Sequence, residues 1–252
     1  MKIITRIYKK ITKWRLTPIR VFCFHHVSDA YDASYMWEGD WINTDLLKEM
    51  IATMQKKGYV FISLQEAHNK LKNDNFRFQK YVVLTADDGF KSLLNILPWL
   101  EENQIPITLF VNPKYMLEGG IGENVLSILE KTHGTITNED LYMSQKDIQS
   151  LNPHLVTFAY HGYAHLMEQI IDEDEFVKNV EQCNVALIKN YPNVIPFYAH
   201  TYGQTQRQYD IILRQLGLIP VYVSGNRNYN NITYIDRELI SNERIQSGKV
   251  HV

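Results

Sequence analysis

Two adjacent carboxylates, Asp87 and Asp88, are the first residues whose type and position suggest chemistry. They follow the apolar, β-branched run Tyr81 to Thr85, which predicts a strand buried on both faces, as in a parallel sheet. Gly89 then permits a sharp turn into a helix predicted over 90–102, and α/β folds place their active sites at such strand ends. Because neighbouring side chains on an extended segment point in different directions, one carboxylate could bind a metal while the other takes a proton. The alternative is that Asp87 caps the helix and Asp88 is solvated.

A histidine pair with HxxxH spacing, His161 and His165, directly follows another predicted strand over 156–160. On one helical turn this spacing would place both imidazoles on the same side, which is a common way to hold a divalent ion. Two histidines and one aspartate, with water in the open positions, form a catalytic rather than a structural metal arrangement. Together, this histidine pair and the Asp-Asp-Gly sequence at the other strand end predict a metal site.

Polar residues also follow two further predicted strands. His25 and His26 follow the first strand of the chain, and they indicate either a site or a hydrogen-bonded loop. His200, Tyr202 and Gly203 follow a later strand, where the Tyr-Gly pair could equally be only a turn.

The elements that must position these residues alternate between strands and helices. Short apolar runs such as 107–111 predict strands, and amphipathic stretches such as 172–190 predict helices. In the latter helix, Val185 and Ile188 are expected among the inward-facing residues. The polar stretch 112–140, with one helical segment, is expected to form an inserted loop region at the mouth of a barrel. This alternation favours a parallel barrel over an open sheet with a second domain.

The first 16 residues are predicted to form a basic amphipathic helix, ahead of a single catalytic domain over 17–252. Apolar residues recur at helical spacing between lysines and arginines, and no acidic residue occurs before Asp29. This helix could contact a membrane surface or simply pack on its own domain. No apolar core of a secretory signal and no run of about 18 apolar residues is present. We therefore expect a cytoplasmic protein, peripheral at the inner face of the membrane.

The overall composition is that of an ordinary globular protein. Of the 252 residues, 45% are hydrophobic and 21% are charged, as expected for a chain with a sizeable core. The net charge of −2 gives no indication of nucleic-acid binding. Cys23 and Cys183 lie in apolar or helical patterns and are predicted to be buried thiols, so nothing indicates an oxidising compartment.

Taken together, the motifs resemble those of the polysaccharide deacetylases of the NodB-homology family, carbohydrate esterase family 4. TADDG over 85–89 is similar to the family's TFDDG motif, with Ala in place of Phe, and HGYAH over 161–165 is similar to its HxxxH motif. AHTYG over 199–203 resembles the third motif in the variant form that ends in Tyr-Gly. FHHVSD over 24–29 resembles the YHxV opening of the subgroup that makes extracellular and capsular glycans. The resemblance covers about residues 20–240, and the order and spacing of the motifs make it specific.

The resemblance implies an α/β fold, the distorted (β/α)7 barrel of the NodB type, and a metal-dependent N- or O-deacetylase. By position, Asp88, His161 and His165 would bind a divalent ion, with zinc expected, and Asp87 would be the general base. The backbone N–H of Tyr202 would help to hold the oxyanion. A poorly electrophilic carbonyl needs a cation to polarise it, a base to activate water, and donors already in place for the developing charge.

Two family features are missing from this sequence. The arginine that is usual in the third motif is Ala199 here, and we expect Arg237 to replace it as the partner that keeps Asp87 ionised and oriented. The late histidine that usually serves as general acid has no clear match, because Ser241 stands where a Leu-x-His would end. The residues that could supply the proton instead are His25, His26 and His200. The candidate substrate contacts are His26, His200 and Gly203.

Three functional classes follow. The first is an active deacetylase of an N-acetylated sugar, with a lipid-linked glycan as one candidate substrate, in capsular or cell-envelope polysaccharide biosynthesis. The second is a catalytically silent relative that binds glycan or scaffolds a synthesis complex. The retained base and ligand set favour the first class, and the missing arginine and late histidine favour the second. A metal hydrolase acting on another acyl or amide group is the third, because motifs describe only the reacting centre.

Overall fold

The computed structural model describes residues 18–73, 79–203, 207–225, 228 and 232–250. The basic amphipathic helix predicted over residues 1–16 therefore lies outside the described residues. In the part of the chain that is described, no helix combines the length and apolar character needed to cross a bilayer.

Eleven strands are found among the described residues. They are β1 (Arg20–Phe24), β2 (His26–Ser28), β3 (Trp41–Asn43), β4 (Tyr59–Phe61), β5 (Lys80–Ala86), β6 (Ile107–Val111), β7 (Val156–Tyr160), β8 (Val194–Ala199), β9 (Ile219–Tyr222), β10 (Ile235–Asp236) and β11 (Glu238–Leu239).

Ten α-helices and two short 3-10 helices connect these strands within the same described ranges. The α-helices are α1 (Thr44–Lys56), α2 (Leu64–Lys72), α3 (Leu97–Glu102), α4 (Pro113–Leu117), α5 (Glu123–Thr132), α6 (Asn138–Leu141), α7 (Gln145–Ser150), α8 (Glu173–Asn190), α9 (Asp210–Gln215) and α10 (Asn242–Gln246). The 3-10 helices are Lys91–Asn95 and Thr201–Gly203.

The main sheet is entirely parallel and closes into a barrel. Its order is β10-β9-β8-β7-β6-β5-β1-β11, and β4 pairs with the first residues of β5. β10 and β11 are separated along the chain only by Arg237, yet β10 pairs with β9 and β11 pairs with β1. The single segment 235–239 therefore joins the two ends of the sheet and completes a seventh strand position. This arrangement confirms the distorted (β/α)7 barrel that the sequence resemblance implied.

Alternate residues of the strands divide between two apolar clusters, because successive side chains of a strand point to opposite faces. Phe22 and Leu84 belong to the larger cluster, together with the apolar faces of the surrounding helices. Val83 and Phe110 belong to the smaller cluster, which includes the buried face of α2. The polar residues at the strand ends are therefore mounted on strands that are packed on both sides.

The expectation for the inward face of α8 is wrong in part. Val185 and Ile188 are 67% and 68% exposed. The apolar residues that α8 buries are Phe176, Val180, Cys183 and Leu187. Their spacing of four, three and four residues defines one stripe of the helix, and the two exposed residues lie off it.

Two other segments differ from the predicted helices. The helix predicted over 90–102 is split into the 3-10 helix Lys91–Asn95 and α3, with the break at Ile96. Pro98 lies at the start of α3, where its missing N–H is tolerated, whereas it would interrupt a continuous helix. The region 112–140 contains α4, α5 and α6 rather than one helical segment.

Candidate active site

The residues predicted from the sequence motifs meet at the C-terminal edge of the barrel. Asp87 and Asp88 follow β5, the histidine pair follows β7, the Tyr-Gly pair follows β8, and His25 follows β1. Parallel strands bring their carboxyl ends to the same edge, so these groups converge. They line one open cavity of about 350 Å³. The predicted residues in its wall are His25, Asp87, Asp88, His161, His165, Tyr202 and Gly203.

Asp88, His161 and His165 form a compact buried group with metal-ligand geometry. The Asp88 Oδ1 atom lies 3.5 Å from His161 Nε2 and 3.3 Å from His165 Nε2. The three candidate ligand atoms all lie within 4.8 Å of one another. One carboxylate and two imidazoles match the catalytic type of site, in which positions stay open for water or substrate.

The hydrogen bonds around this group leave its inward-facing atoms free for a cation. His161 Nδ1 lies 2.8 Å from the carbonyl oxygen of Ala199, which can only accept a hydrogen bond. Nδ1 must therefore carry the proton, so the lone pair of the neutral ring is on Nε2. Asp88 Oδ1 is buried and has no hydrogen-bond partner among the described residues. A buried carboxylate oxygen in that situation fits a site built for a metal ion.

The pKa values of the three groups follow from burial and from their mutual proximity. Burial would raise the pKa of Asp88, but His165 and His161 together hold it below its ordinary value. Burial lowers the pKa of His165 to about 4, against the opposing effect of Asp88. For His161, burial is outweighed by Asp87 and Asp88, and its pKa is raised. His165 is thus neutral at physiological pH, as a metal ligand must be.

The HxxxH pair is held by an irregular loop and not by a helical turn, so the helical placement expected from the spacing is wrong. Gly162 has φ +73° and His165 has φ +49°. The side chain of Asn179 on α8 accepts hydrogen bonds from the backbone N–H groups of Tyr163 and Ala164, at 3.0 and 3.1 Å. A Cβ atom at position 162 would come within 2.6 Å of the Asn179 amide nitrogen. Glycine is therefore required both by the backbone angle and by the close approach.

Asp87 lies beside the candidate metal group and is paired with Arg237. The two terminal guanidinium nitrogens of Arg237, Nη1 and Nη2, donate to the two carboxylate oxygens of Asp87 at 2.6 and 2.7 Å. Burial would raise the pKa of Asp87, but Arg237, followed by His161, lowers it to about 2. The contact expected between these residues is therefore present. The carboxylate does not cap the following helix, whose N-cap is Phe90 and has no side-chain cap hydrogen bond.

The potential ligand atoms of a second group, Cys23, His25 and Asp87, also lie within 4.8 Å of one another. The Cys23 thiol donates to Asp87 at 3.3 Å, and burial raises the pKa of this thiol well above its ordinary value. Since Asp87 already accepts two hydrogen bonds from Arg237, its charge is compensated without a second cation. The group around Asp88 is therefore the better candidate for a metal site.

His25 lies at the cavity wall next to Asp87. Its Nε2 atom lies 3.9 Å from Asp87, and its Nδ1 atom lies 3.7 Å from Asp40. Ser241, at the position expected for the family's late histidine, is buried and caps α10 by accepting from the N–H of Arg244. Its hydroxyl thus has a structural role, and His25 joins His161 and His165 as an imidazole that lines the cavity.

Backbone strain is concentrated in the cavity. Asp88, His165 and Tyr202 have φ values of +68°, +49° and +56°. They make up half of the six non-glycine residues with positive φ among the described residues, although the cavity wall is a small part of the chain. Such conformations persist only where the surroundings enforce them, and they concentrate at functional sites.

Two predicted site residues, His26 and His200, are enclosed by protein and do not line the cavity. The ring of His26 stacks on Phe90 with a centroid separation of 3.8 Å, and burial lowers its pKa to about 3. The ring of His200 lies between the carboxylates of Glu168 and Asp210. The substrate-contact and proton-donor roles suggested for the two histidines stay predictions that this geometry does not favour.

The cavity also contains residues that the motifs did not single out. They are Trp37, Asp40, Asn124, Ser127, Val223 and Leu239. The prediction that region 112–140 lies at the barrel mouth could have pointed to Asn124 and Ser127, which belong to α5. Trp37 and Asp40 lie between β2 and β3, and no pattern in the sequence marked that connection as part of the site.

Comparisons with known proteins agree with this site. Residues 76–221, more than half of the chain, match a family model described as polysaccharide deacetylase. A comparison with curated protein sequences found no match.

Several solved structures share the fold. IcaB from Ammonifex degensii is 19% identical, with a TM-score of 0.72 over 92% of this chain and 95% of that one. The Streptococcus pyogenes deacetylase PplD is 18% identical, with a TM-score of 0.71 over 89% of this chain and 92% of that one. A de-N-acetylase from Aggregatibacter actinomycetemcomitans is 17% identical, with a TM-score of 0.70 over 88% and 95% of the two chains. The barrel, the Asp-Asp-Gly and HxxxH motifs at its carboxyl edge and the family-model match lead to one conclusion: the chain belongs to the polysaccharide deacetylase family.

Proposed function

We propose that the protein is a metal-dependent deacetylase that removes an acetyl group from an N-acetylated sugar of a capsular or cell-envelope polysaccharide. The observation that carries the proposal is the joint placement of two groups in one cavity. A buried Asp88–His161–His165 group fits a divalent ion, and directly beside it the Asp87 carboxylate is held ionised by Arg237. A glycan-binding protein has no need of a base beside a metal site.

Three side chains would hold the cation, and zinc is the metal we expect. Bound to Asp88, His161 and His165, it would polarise the acetyl carbonyl and lower the pKa of a water molecule.

Asp87 is the proposed general base. At neutral pH its carboxylate is fully ionised, since its pKa is about 2. A carboxylate with so low a pKa is a weak base, so it can deprotonate water efficiently only where that water is already acidified. Arg237 fixes the carboxylate through two hydrogen bonds, so that the accepting oxygen is oriented before the substrate arrives.

His25 and Tyr202 are proposed for two further roles: a proton for the leaving nitrogen and a hydrogen bond to the charged carbonyl oxygen. As water adds to the carbonyl carbon, negative charge develops on the carbonyl oxygen, and the backbone N–H of Tyr202 would donate a hydrogen bond to it. When the C–N bond breaks, the sugar nitrogen takes a proton, which we assign to His25 at the cavity wall. Acetate and a free amino sugar are the products.

The polymer class of the substrate is supported by the family match and by the open form of the cavity. One structure that shares the fold is that of a de-N-acetylase, which is consistent with an N-acetyl rather than an O-acetyl target. A lipid-linked glycan intermediate, approached at the inner face of the membrane through residues 1–15, is the specific form that we propose.

A catalytically silent glycan-binding protein is the second candidate. The buried, helix-capping Ser241 favours it, because the family's late histidine is missing at that position. The two candidates differ in a direct way, since only the enzyme releases acetate.

The test is a mass-spectrometric screen for acetate release by the purified, zinc-loaded full chain. The substrates are N-acetylated sugars in free, nucleotide-linked and lipid-linked form and N-acetylated oligosaccharides, and zinc content is measured in parallel. We expect Asp87→Asn to retain zinc and to lose about 10²–10⁴-fold in rate, because proton transfer is removed. Asp88→Ala should lose the zinc itself.

Several outcomes would contradict the proposal. If the parent protein releases no acetate from any of these substrates but binds one of them, the silent-binder candidate is correct. Full acetate release by Asp87→Asn would remove the general-base role. Zinc loss from Asp87→Asn, with retention in Asp88→Ala, would reverse the roles of the two carboxylates.

A further inference from the structure

A buried cluster of charged side chains lies behind the cavity wall and outside the groups assigned so far. Its members Glu168, His200 and Asp210 are only 0%, 1% and 6% exposed. His200 Nδ1 lies 2.6 Å from a Glu168 oxygen, and His200 Nε2 lies 3.4 Å from an Asp210 oxygen. The three residues come from three separate segments: the loop after the HxxxH motif, the loop after β8, and the first turn of α9.

The hydrogen bonds show that the histidine is a cation between two carboxylates. A carboxylate accepts, so both ring nitrogens of His200 donate. Burial by itself would lower the pKa of His200, but the hydrogen bonds to Asp210 and Glu168 raise it to about 9. Asp210 is also paired with Arg214 at 3.3 Å and accepts a hydrogen bond from the Tyr222 hydroxyl. The cluster is thus close to neutral overall, which makes its burial tolerable.

Glu168 is also the point at which the loop carrying Tyr202 is attached. Its Oε1 atom accepts from the backbone N–H of Thr201 at 3.3 Å and from the Tyr198 hydroxyl at 3.0 Å. The Thr201 hydroxyl donates at 2.6 Å to the carbonyl oxygen of Leu166. With the His200–Glu168 contact, three hydrogen bonds therefore tie the loop after β8 to the loop that follows the HxxxH motif.

These ties flank two of the three strained residues of the cavity. Leu166 follows His165 directly, and Thr201 precedes Tyr202 directly. Both His165 and Tyr202 have left-handed backbone angles, and their rings meet edge to face with a centroid separation of 4.7 Å. Something outside the two residues must enforce conformations that a non-glycine residue rarely adopts.

We infer that the Glu168–His200–Asp210 cluster is a positioning device for the reaction, which holds the Tyr202 N–H and the His165 imidazole in fixed relation to each other. Glu168 and His200 act as positioning residues, since neither side chain lines the cavity. The inference rests on the proposed function for the roles of Tyr202 and His165. It assigns a positioning role to Glu168 and Asp210, which no motif contains, and to His200, which lies in the third motif.

The alternative is that the cluster only stabilises the fold. Buried ion pairs are costly to break, so a loss of thermal stability alone would not distinguish the two explanations. The test must therefore include variants that lose stability without touching the cavity, and measurements that report geometry separately from folding.

The experiment compares the zinc-loaded parent with Glu168→Gln, Thr201→Val and the control Thr108→Val. Glu168→Gln keeps the shape of the side chain but removes the charge that faces His200. Thr201→Val leaves every buried charge in place and removes only the tie to Leu166, so it serves even if Glu168→Gln does not fold. Thr108 is buried in β6 and does not line the cavity, and its hydroxyl contacts that of Thr157 at 2.9 Å.

Three kinds of measurement are made. Zinc affinity is measured by competition with a chelator, kcat and KM are measured for acetate release, and the crystal structures are determined. For Glu168→Gln we expect zinc affinity or kcat to fall about 10–100-fold with little change in KM, as is usual when the support of a metal site is altered. Thr201→Val should show a smaller fall in the same quantities. Thr108→Val should lower the melting temperature and leave zinc affinity and kcat unchanged.

The outcomes separate this inference from the proposed function. If the parent releases no acetate, the proposed function fails, and the positioning inference is decided by zinc affinity and by the crystal structures. It stands if Tyr202 or His165 leaves its left-handed conformation in Glu168→Gln or Thr201→Val. Unchanged backbone angles, zinc affinity and kcat in the folded variants would overturn it, and so would a fall in kcat of equal size in Thr108→Val.

Discussion

Replacing Arg237 by methionine is expected to lower both the stability and the activity of the protein. The guanidinium is fully buried and donates two hydrogen bonds, of 2.6 and 2.7 Å, to Asp87. Methionine fills similar space but leaves the buried Asp87 charge without its guanidinium partner. Breaking a buried ion pair in this way costs about 3–5 kcal/mol of unfolding free energy. For a chain of this length that corresponds to a fall in melting temperature of about 6–20 °C.

The same substitution should lower the rate without removing the metal. Arg237 is a major cause of the depressed pKa of Asp87, so its loss lets burial raise that pKa. A protonated Asp87 cannot accept a proton, and the loss at neutral pH should approach the general-base contribution of about 10²–10⁴-fold. Because the raised pKa makes the carboxylate ionise at higher pH, the variant should recover rate as the pH increases. Zinc content, acetate release between pH 5 and 9, and thermal unfolding are the assays.

The chain supplies a matched control for this experiment. Arg20 pairs with Glu238 through two hydrogen bonds of 2.9 and 2.8 Å, outside the cavity. Arg20→Met should therefore lower the melting temperature and leave kcat per bound zinc unchanged. The double variant Asp87→Asn with Arg237→Met should be more stable than Arg237→Met alone, because the unpaired charge is gone. The reasoning is refuted if the double variant is no more stable, or if Arg237→Met keeps the full rate at neutral pH.

Three further predictions concern other parts of the chain. Gly162→Ala should lower zinc affinity and the melting temperature, because the added Cβ would contact the Asn179 amide at 2.6 Å and alanine disfavours φ +73°. Chelator competition and thermal unfolding measure these two quantities. An unchanged zinc affinity would contradict the prediction. The pKa of His200 is raised to about 9 in the folded protein, from about 6.5 in the unfolded chain. Protonation of His200 therefore stabilises the fold by about 3 kcal/mol, and this contribution is fully present below about pH 6.5. The contribution is lost as the pH rises through 9. The difference in melting temperature between the parent and His200→Gln should therefore be largest near pH 6 and shrink towards pH 10, and a constant difference would show that charge is not involved. Binding to anionic vesicles in a sedimentation assay should weaken when residues 1–15 are deleted, and equal binding with and without them would reject the proposed membrane contact.

The sequence by itself was sufficient for the parts of the site that are local in the chain. An apolar β-branched run followed by Asp-Asp-Gly predicts both the strand and the carboxylates at its end, because strand and turn preferences are properties of neighbouring residues. Parallel strands share a carboxyl edge, so the convergence of Asp88 with His161 and His165 could also be expected before the structure was known. The strand–helix alternation also depends on local preferences, and it predicted a barrel. It did not predict the inward face of α8, where Val185 and Ile188 are exposed.

Only the tertiary structure decided the contacts that join distant segments or depend on side-chain direction. Arg237 is separated from Asp87 by 150 positions, and the two meet because the segment 235–239 closes the barrel. His25 and His26 are indistinguishable in type, but only His25 lines the cavity, because neighbours on an extended chain point to opposite sides. Glu168 has no sequence signature, and the motif that contains His200 does not reveal their pairing, since the two residues lie in separate loops. Local preferences determine where strands end, whereas the closure of the barrel determines which side chains share the space beyond those ends.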